Sequence, residues 1–233
     1  MMGYSLDFTA VLTGEHLEWL LSGIRLTAEL FAGSWALAFL LAISLVILRN
    51  TGLKPVEWFV STYVEVHQNV PLLVQLLFWY FAVPELLPEP ARVWLNEHNS
   101  EFILSLLALS FCIAAYMAEA LRSGLRAIPA TQYEASRALG FGYLATMRYI
   151  VLPQAVRISL APLINYTLLL FKNTSIAMAI GVHELTYQSR EIENDTFRTF
   201  EIFAVATAIY LLCSFVIMAV GALSERRFGL QVR

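Results

Sequence analysis

Four stretches of this chain stay apolar long enough for a helix made from each to cross a lipid bilayer, and no other feature limits its fold so tightly. Residues 26–48, 101–121, 158–180 and 201–223 each reach the ~20 residues needed to traverse a hydrocarbon core of about 30 Å. In lipid the backbone must satisfy its own hydrogen bonds, so runs of this kind are helices. A fifth stretch, 56–83, is apolar but interrupted by Glu57, Glu65, His67, Gln68, Asn69 and Pro71. It is expected to span from about Tyr63 to Val83, carrying Gln68 and Asn69 inside the membrane against protein rather than lipid. Turn signals separate the segments at Asn50–Gly52 with Pro55, at Pro84, Pro88 and Pro90, and at Gly140 with Gly142. The expected fold class is all-α integral membrane, a bundle of about five transmembrane helices without strands.

Composition agrees. Hydrophobic residues make up 58% of the chain and charged residues 14%, against about 25% charged in soluble domains. A net charge of −3 gives no electrostatic footprint for nucleic acid. Cys112 and Cys213 lie in apolar runs, where they read as small packing residues. No Lys or Arg precedes Arg25, so a cleavable signal peptide is not expected, and insertion is assigned to the first span. If the loops 49–55 and 122–157 and the C-terminus share one side, that side holds Arg49, Lys54, Arg122, Arg126, Arg137, Arg148, Arg157, Arg226, Arg227 and Arg233. Arg92, Arg190 and Arg198 fall on the other. Ten against three places the N-terminus outside and the C-terminus in the cytoplasm, which an odd number of spans requires. The paired interrupted helices of many secondary transporters are missing, since no internal repeat is visible.

Catalytic groupings are equally absent. There is no GxxxxGK[ST] phosphate loop, and the only lysines are Lys54 and Lys172. His183-Glu184 begins like HExxH, but Tyr187 occupies the second histidine position. No GxSxG occurs. The chain is therefore expected to hold no catalytic residue, metal or cofactor, and energy for any work has to come from another subunit.

The loop 122–157 carries the most information. Tyr133, Ala135, Ala138 and Leu139, then Tyr143, Leu144 and Met147, recur at helical spacing, with Gly140 placed to end the first short helix. Two short helices about a glycine elbow form a projection suited to a groove on a soluble partner.

On these residues a family resemblance appears. Glu134, Ala135 and Gly140, followed by Ile150 and Pro153, resemble the EAA signature of ATP-binding-cassette (ABC) importer permeases; the signature's second alanine is Ser136 here. The runs 69–84 (NVPLLVQLLFWYFAVP), 115–125 (AYMAEALRSGL) and 152–186 are similar to the polar amino-acid uptake branch. Gln68 stands where that branch usually has Arg, and Thr131 where it usually has Gly. The resemblance implies a type-1 permease domain over 23–225, with spans near 26–48, 63–83, 101–121, 158–180 and 201–223 and a coupling loop at 122–157. An extracytoplasmic segment (1–22) precedes it and a cytoplasmic tail (226–233) follows. It implies two copies of an ATP-binding subunit that holds ATP and magnesium, a second permease or a second copy of this chain, and a periplasmic amino-acid-binding protein. The texture of 69–89 is most like the glutamate/aspartate members. The alternative is a helical membrane protein outside the ABC class, a small secondary transporter or a scaffolding bundle, which accounts for the composition but not for the loop.

Polar residues inside the spans are candidates for the substrate pathway: Gln68, Asn69, Asn165, Lys172, Asn173, Thr174 and Ser175. An ammonium near mid-bilayer costs about 2.5–3.5 kcal/mol by insertion scales, so Lys172 is expected to pair with Glu29 or Glu119, to snorkel outward, or else to meet substrate. A helix break at 173–175 would offer backbone groups to a zwitterion. Interhelical hydrogen bonding is the plainer role for Gln68, Asn69, Gln75 and Asn165. Residues 190–195 (REIEND) read as a solvated outward turn.

Overall fold

The structure, a computed structural model, describes residues 6–228. The first residues of the expected segment 1–22, and 229–233 of the expected tail with Arg233, lie outside the described residues.

The described chain is helical throughout. In order it forms α1 (Thr9–Leu12), α2 (Gly14–Arg49), α3 (Lys54–Asn69), α4 (Leu72–Phe81), α5 (Val83–Leu86), α6 (Glu89–Glu97), α7 (Ser100–Arg126), α8 (Ala130–Ala138), α9 (Tyr143–Thr146), α10 (Leu152–Asn173), α11 (Leu185–Thr196) and α12 (Thr199–Phe228). A π-helical turn, Met147–Val151, leads into α10, and a 3-10 helix, Thr174–Ile180, follows it. Four helical stretches are long and apolar enough to cross a membrane: Gly14–Arg49, Ser100–Arg126, Tyr143–Ile180 and Thr199–Arg227. The interrupted fifth segment is two helices rather than one. Pro71 has no N–H to continue α3, so the chain turns extended at Val70 and restarts as the short apolar α4. The segment 190–195 also differs from expectation. It lies in α11, with Ile192 and Ser189 buried, so it is helical and only its outer face is solvated.

Two compact units divide the chain. The first contains residues up to Ala36, Pro71–Ser110 and Leu170–Phe215. Its core gathers Val11, Leu20, Leu185, Ile192 and Ile202, with Trp19, Phe203 and Tyr210 packed against them. Gly23 permits α11 to approach α2: a Cβ there would sit 2.9 Å from Gln188 Cγ and 3.0 Å from Leu185 Cα. The Leu185 N–H donates to Thr27 Oγ1 at 3.0 Å. Glu184 is fully buried as the N-cap of α11, accepting from the Tyr187 N–H at 2.9 Å and the Tyr210 hydroxyl at 2.8 Å. Burial pushes its carboxyl up from the ordinary range, although these donors favour the ionised form.

The second unit contains Leu37–Val70, Phe111–Leu169 and the chain from Val216. Here α7 and α10 cross closely at Gly124, where a Cβ would stand 2.6 Å from the Ala155 carbonyl oxygen. Ser159 Oγ, next to it, donates to the Ala120 carbonyl at 3.2 Å. Small residues and side-chain-to-carbonyl bonds of this kind fasten helices where burial of apolar surface gives no drive. Among the candidate spans α7 is the most enclosed, while α12 leaves Leu211, Leu212, Phe215, Val216 and Val220 exposed.

Candidate functional site

Three places in the fold carry the candidate residues. The first is the projection between α7 and α10. Pro129 opens α8 in an extended conformation, and the helix ends in a Schellman turn. The Gly140 N–H donates to the Arg137 carbonyl at 2.9 Å and the Phe141 N–H to the Ser136 carbonyl at 3.0 Å. This closure needs φ of +80° at Gly140, which glycine adopts without strain. Ser136, the departure from the family's alanine, is fully buried; its hydroxyl donates to the Tyr133 carbonyl at 2.8 Å and lies 2.9 Å from Thr146 Oγ1. The serine thus ties α8 to α9. Glu134, Ala135, Gly140 and Pro153 are exposed, and Ile150 is half-buried. Around the elbow Leu139, Tyr143 and Leu144 are 75%, 71% and 80% exposed. Three large apolar side chains at the tip of a polar loop form a surface that a partner can cover.

The second place is the break after α3. Pro71 cannot donate to the His67 carbonyl, and a side chain substitutes: Cys112 Sγ lies 3.8 Å from it. The Tyr116 hydroxyl donates to the Gln68 carbonyl at 3.4 Å and stacks obliquely on Tyr166. Gln68 is half-buried, while Asn69 is exposed and returns its amide to the Glu65 carbonyl at 2.7 Å. Interrupted helices of this sort place polar backbone at membrane depth only where protein or a cavity receives it.

The third place is the change of helix type after Lys172. The α-helix ends at Asn173 and the 3-10 helix runs to Gly181, whose φ is +89°. The α4 helix packs against this 3-10 segment. Thr174 is fully buried and its hydroxyl donates to the Phe171 carbonyl at 2.7 Å; Ser175 does the same to Lys172. Both hydroxyls therefore shape the transition, and Asn165 and Lys172 are left exposed. The expected pairing of Lys172 is not made. Glu29 bonds Arg25 at 2.7 Å, and Glu119 is taken by Arg49 at 3.5 Å and by Arg122 through a double contact. The nearest arginines along or beside each carboxylate's own helix outcompete a lysine elsewhere. Spacing offers the Glu119–Arg122 pair, at i,i+3 in the run 115–125, but neither the contact of Arg49 with Glu119 nor the seam that Cys112 and Tyr116 make with the backbone of α3.

Together these features define a helical membrane protein with an exposed apolar projection and, among the described residues, no grouping that could hold a metal ion. Residues 38–230 match the family described as "Binding-protein-dependent transport system inner membrane component", and the chain belongs to that family. It is 33% identical over 219 residues to the glutamate/aspartate import permease protein GltJ of Escherichia coli K12, across 92% of this chain and 89% of that one. It is 34% identical over 208 residues to the octopine transport system permease protein OccM of Rhizobium radiobacter, across 88% and 84%. The crystal structure of an amino acid ABC transporter with histidines matches with a TM-score of 0.84 at 29% identity, over 96% of this chain and 100% of that one. As an inner-membrane transport component, the chain is neither a scaffold nor a secondary transporter.

Proposed function

We propose that this chain is the permease subunit of an ATP-driven importer that moves a polar amino acid, glutamate or aspartate by preference, across the bacterial inner membrane. Likeness to GltJ across nearly the whole chain supports the substrate class. The observation that carries the mechanism is the projection 130–151, where an αL glycine elbow presents Leu139, Tyr143 and Leu144 to a partner. In this reading Glu134, Ala135, Gly140, Ile150 and Pro153 belong to the surface that docks on an ATP-binding subunit, two copies per complex, which binds ATP and magnesium. A second permease or a second copy of this chain completes the pathway. A periplasmic binding protein delivers substrate, the N-terminus lies outside, and the projection is cytoplasmic.

Gln68, Asn69, Asn165, Lys172, Asn173, Thr174 and Ser175 border the pathway in this reading, Thr174 and Ser175 by shaping its backbone. In this reading the exposed Lys172 ammonium meets the acidic side chain of the substrate. Uptake of labelled amino acids by cells lacking this chain tests the proposal. Loss of glutamate and aspartate uptake alone is expected; intact uptake of both, with loss of a basic or aromatic amino acid, contradicts the substrate assignment.

A further inference from the structure

A cavity of about 920 Å³ lies beneath the projection, at the ends of α2 and α7 and the start of α10. Arg49, Arg122 and Arg126 line it against a background of Val46, Ile47 and Leu152. Two carboxylates answer these three guanidiniums: Glu119, shared by Arg49 and Arg122, and Glu57 on the cavity wall. Arg126 is exposed and joins no ion pair among the described residues. Arg49 spends its terminal nitrogens on Ser61 and Glu119, leaving its buried Nε without a partner. Arg49 and Arg126 sit in the last turns of helices apolar enough to span a membrane, with Arg122 one turn before. That is the depth at which lipid phosphates lie. Ile47 and Leu152, 63% and 44% exposed, extend the apolar wall.

We propose that this cavity holds the phosphate headgroup of an anionic phospholipid, with an acyl chain lying along Ile47 and Leu152. Guanidinium forks match phosphate oxygens in charge and geometry, and basic pockets at helix ends are where anionic headgroups collect. Because Tyr143 and Leu144 also line the cavity, a lipid there braces the spans against the projection. The inference rests on the chain's place in a membrane and on nothing about the transported substrate, so either can fail without the other.

The test is native mass spectrometry of the delipidated, purified transporter containing this chain, titrated with phosphatidylglycerol, phosphatidylcholine or inorganic phosphate. Phosphatidylglycerol is expected to be retained and the other two are not. Arg126→Gln is expected to weaken retention about fivefold, the effect of one basic residue at an anionic surface, while Arg126→Lys keeps most of it. Equal retention of the two lipids, binding of inorganic phosphate in the lipid's place, or unchanged affinity in Arg126→Gln overturns the proposal. So does lipid that enters only after the partner subunits are stripped away, which assigns the cavity to a protein contact.

Discussion

Single residues in this chain do work that their chemical type alone does not reveal. Glu184 follows a histidine in a zinc-protease-like dipeptide, yet it is a buried helix cap with Tyr187 and Tyr210 as donors. Its folded pKa is raised by burial above the unfolded value of about 4.3. The stability tied to its neutral form is thus fully present below that value and is lost as pH rises through the folded pKa. Glu184→Gln keeps an acceptor for both donors and removes the ionisation. Its melting temperature is expected to fall less than the parent's between acidic and neutral pH; parallel melting curves would show that the carboxyl does not titrate in this window. Lys172 makes the converse case. Among the described residues it has no ion pair to lose, so Lys172→Met is expected to leave abundance unchanged. Half-saturation for glutamate should rise about tenfold, the scale of one charge-assisted contact. Reduced abundance with normal uptake would mark a structural role instead.

At the level of elements, the four long helices were legible because an apolar run of that length has no other fate in lipid. The elbow was legible because a C′ glycine leaves a spacing signature. The divided fifth segment was half legible: Pro71 announced a break, but that Cys112 and Tyr116 would cap the freed carbonyls depends on packing. Helix α11 carries no clear apolar stripe in its sequence because its buried face is Leu185, the polar Ser189 and Ile192, preceded by a buried glutamate cap. The carboxylates offered to Lys172 went to arginines: Arg25–Glu29 and Arg122–Glu119 are pairs at i,i+4 and i,i+3 that spacing alone offers, and only the Arg49–Glu119 contact depends on tertiary distance. The projection yields a two-part prediction. Nothing lies within 4 Å of a Cβ built at Gly140, so Gly140→Ala meets only backbone strain of roughly 1–2 kcal/mol and should retain transport. Gly140→Glu adds an unpaired charge to the proposed interface, where such burial costs several kcal/mol. It should insert normally, bind the ATPase subunit weakly and transport nothing. Equal loss in both variants would locate the effect in the elbow's conformation rather than in docking.

For the whole molecule, the basic residues predict that the projection is cytoplasmic and that the loop holding α6 is outside. A single cysteine at Ala130 is expected to react only with membrane-permeant thiol reagents, and one at Asn96 also with impermeant ones. Labelling of both from the same side would overturn the arrangement. Under the proposed function this chain is a passive pathway, driven by ATP hydrolysis in a partner docked on 130–151. Uptake of labelled glutamate into proteoliposomes holding the purified complex, with binding protein outside, tests it most directly. Accumulation is predicted only when ATP and magnesium are enclosed, and it should vanish in Gly140→Glu; accumulation driven by an ion gradient without ATP would contradict the account.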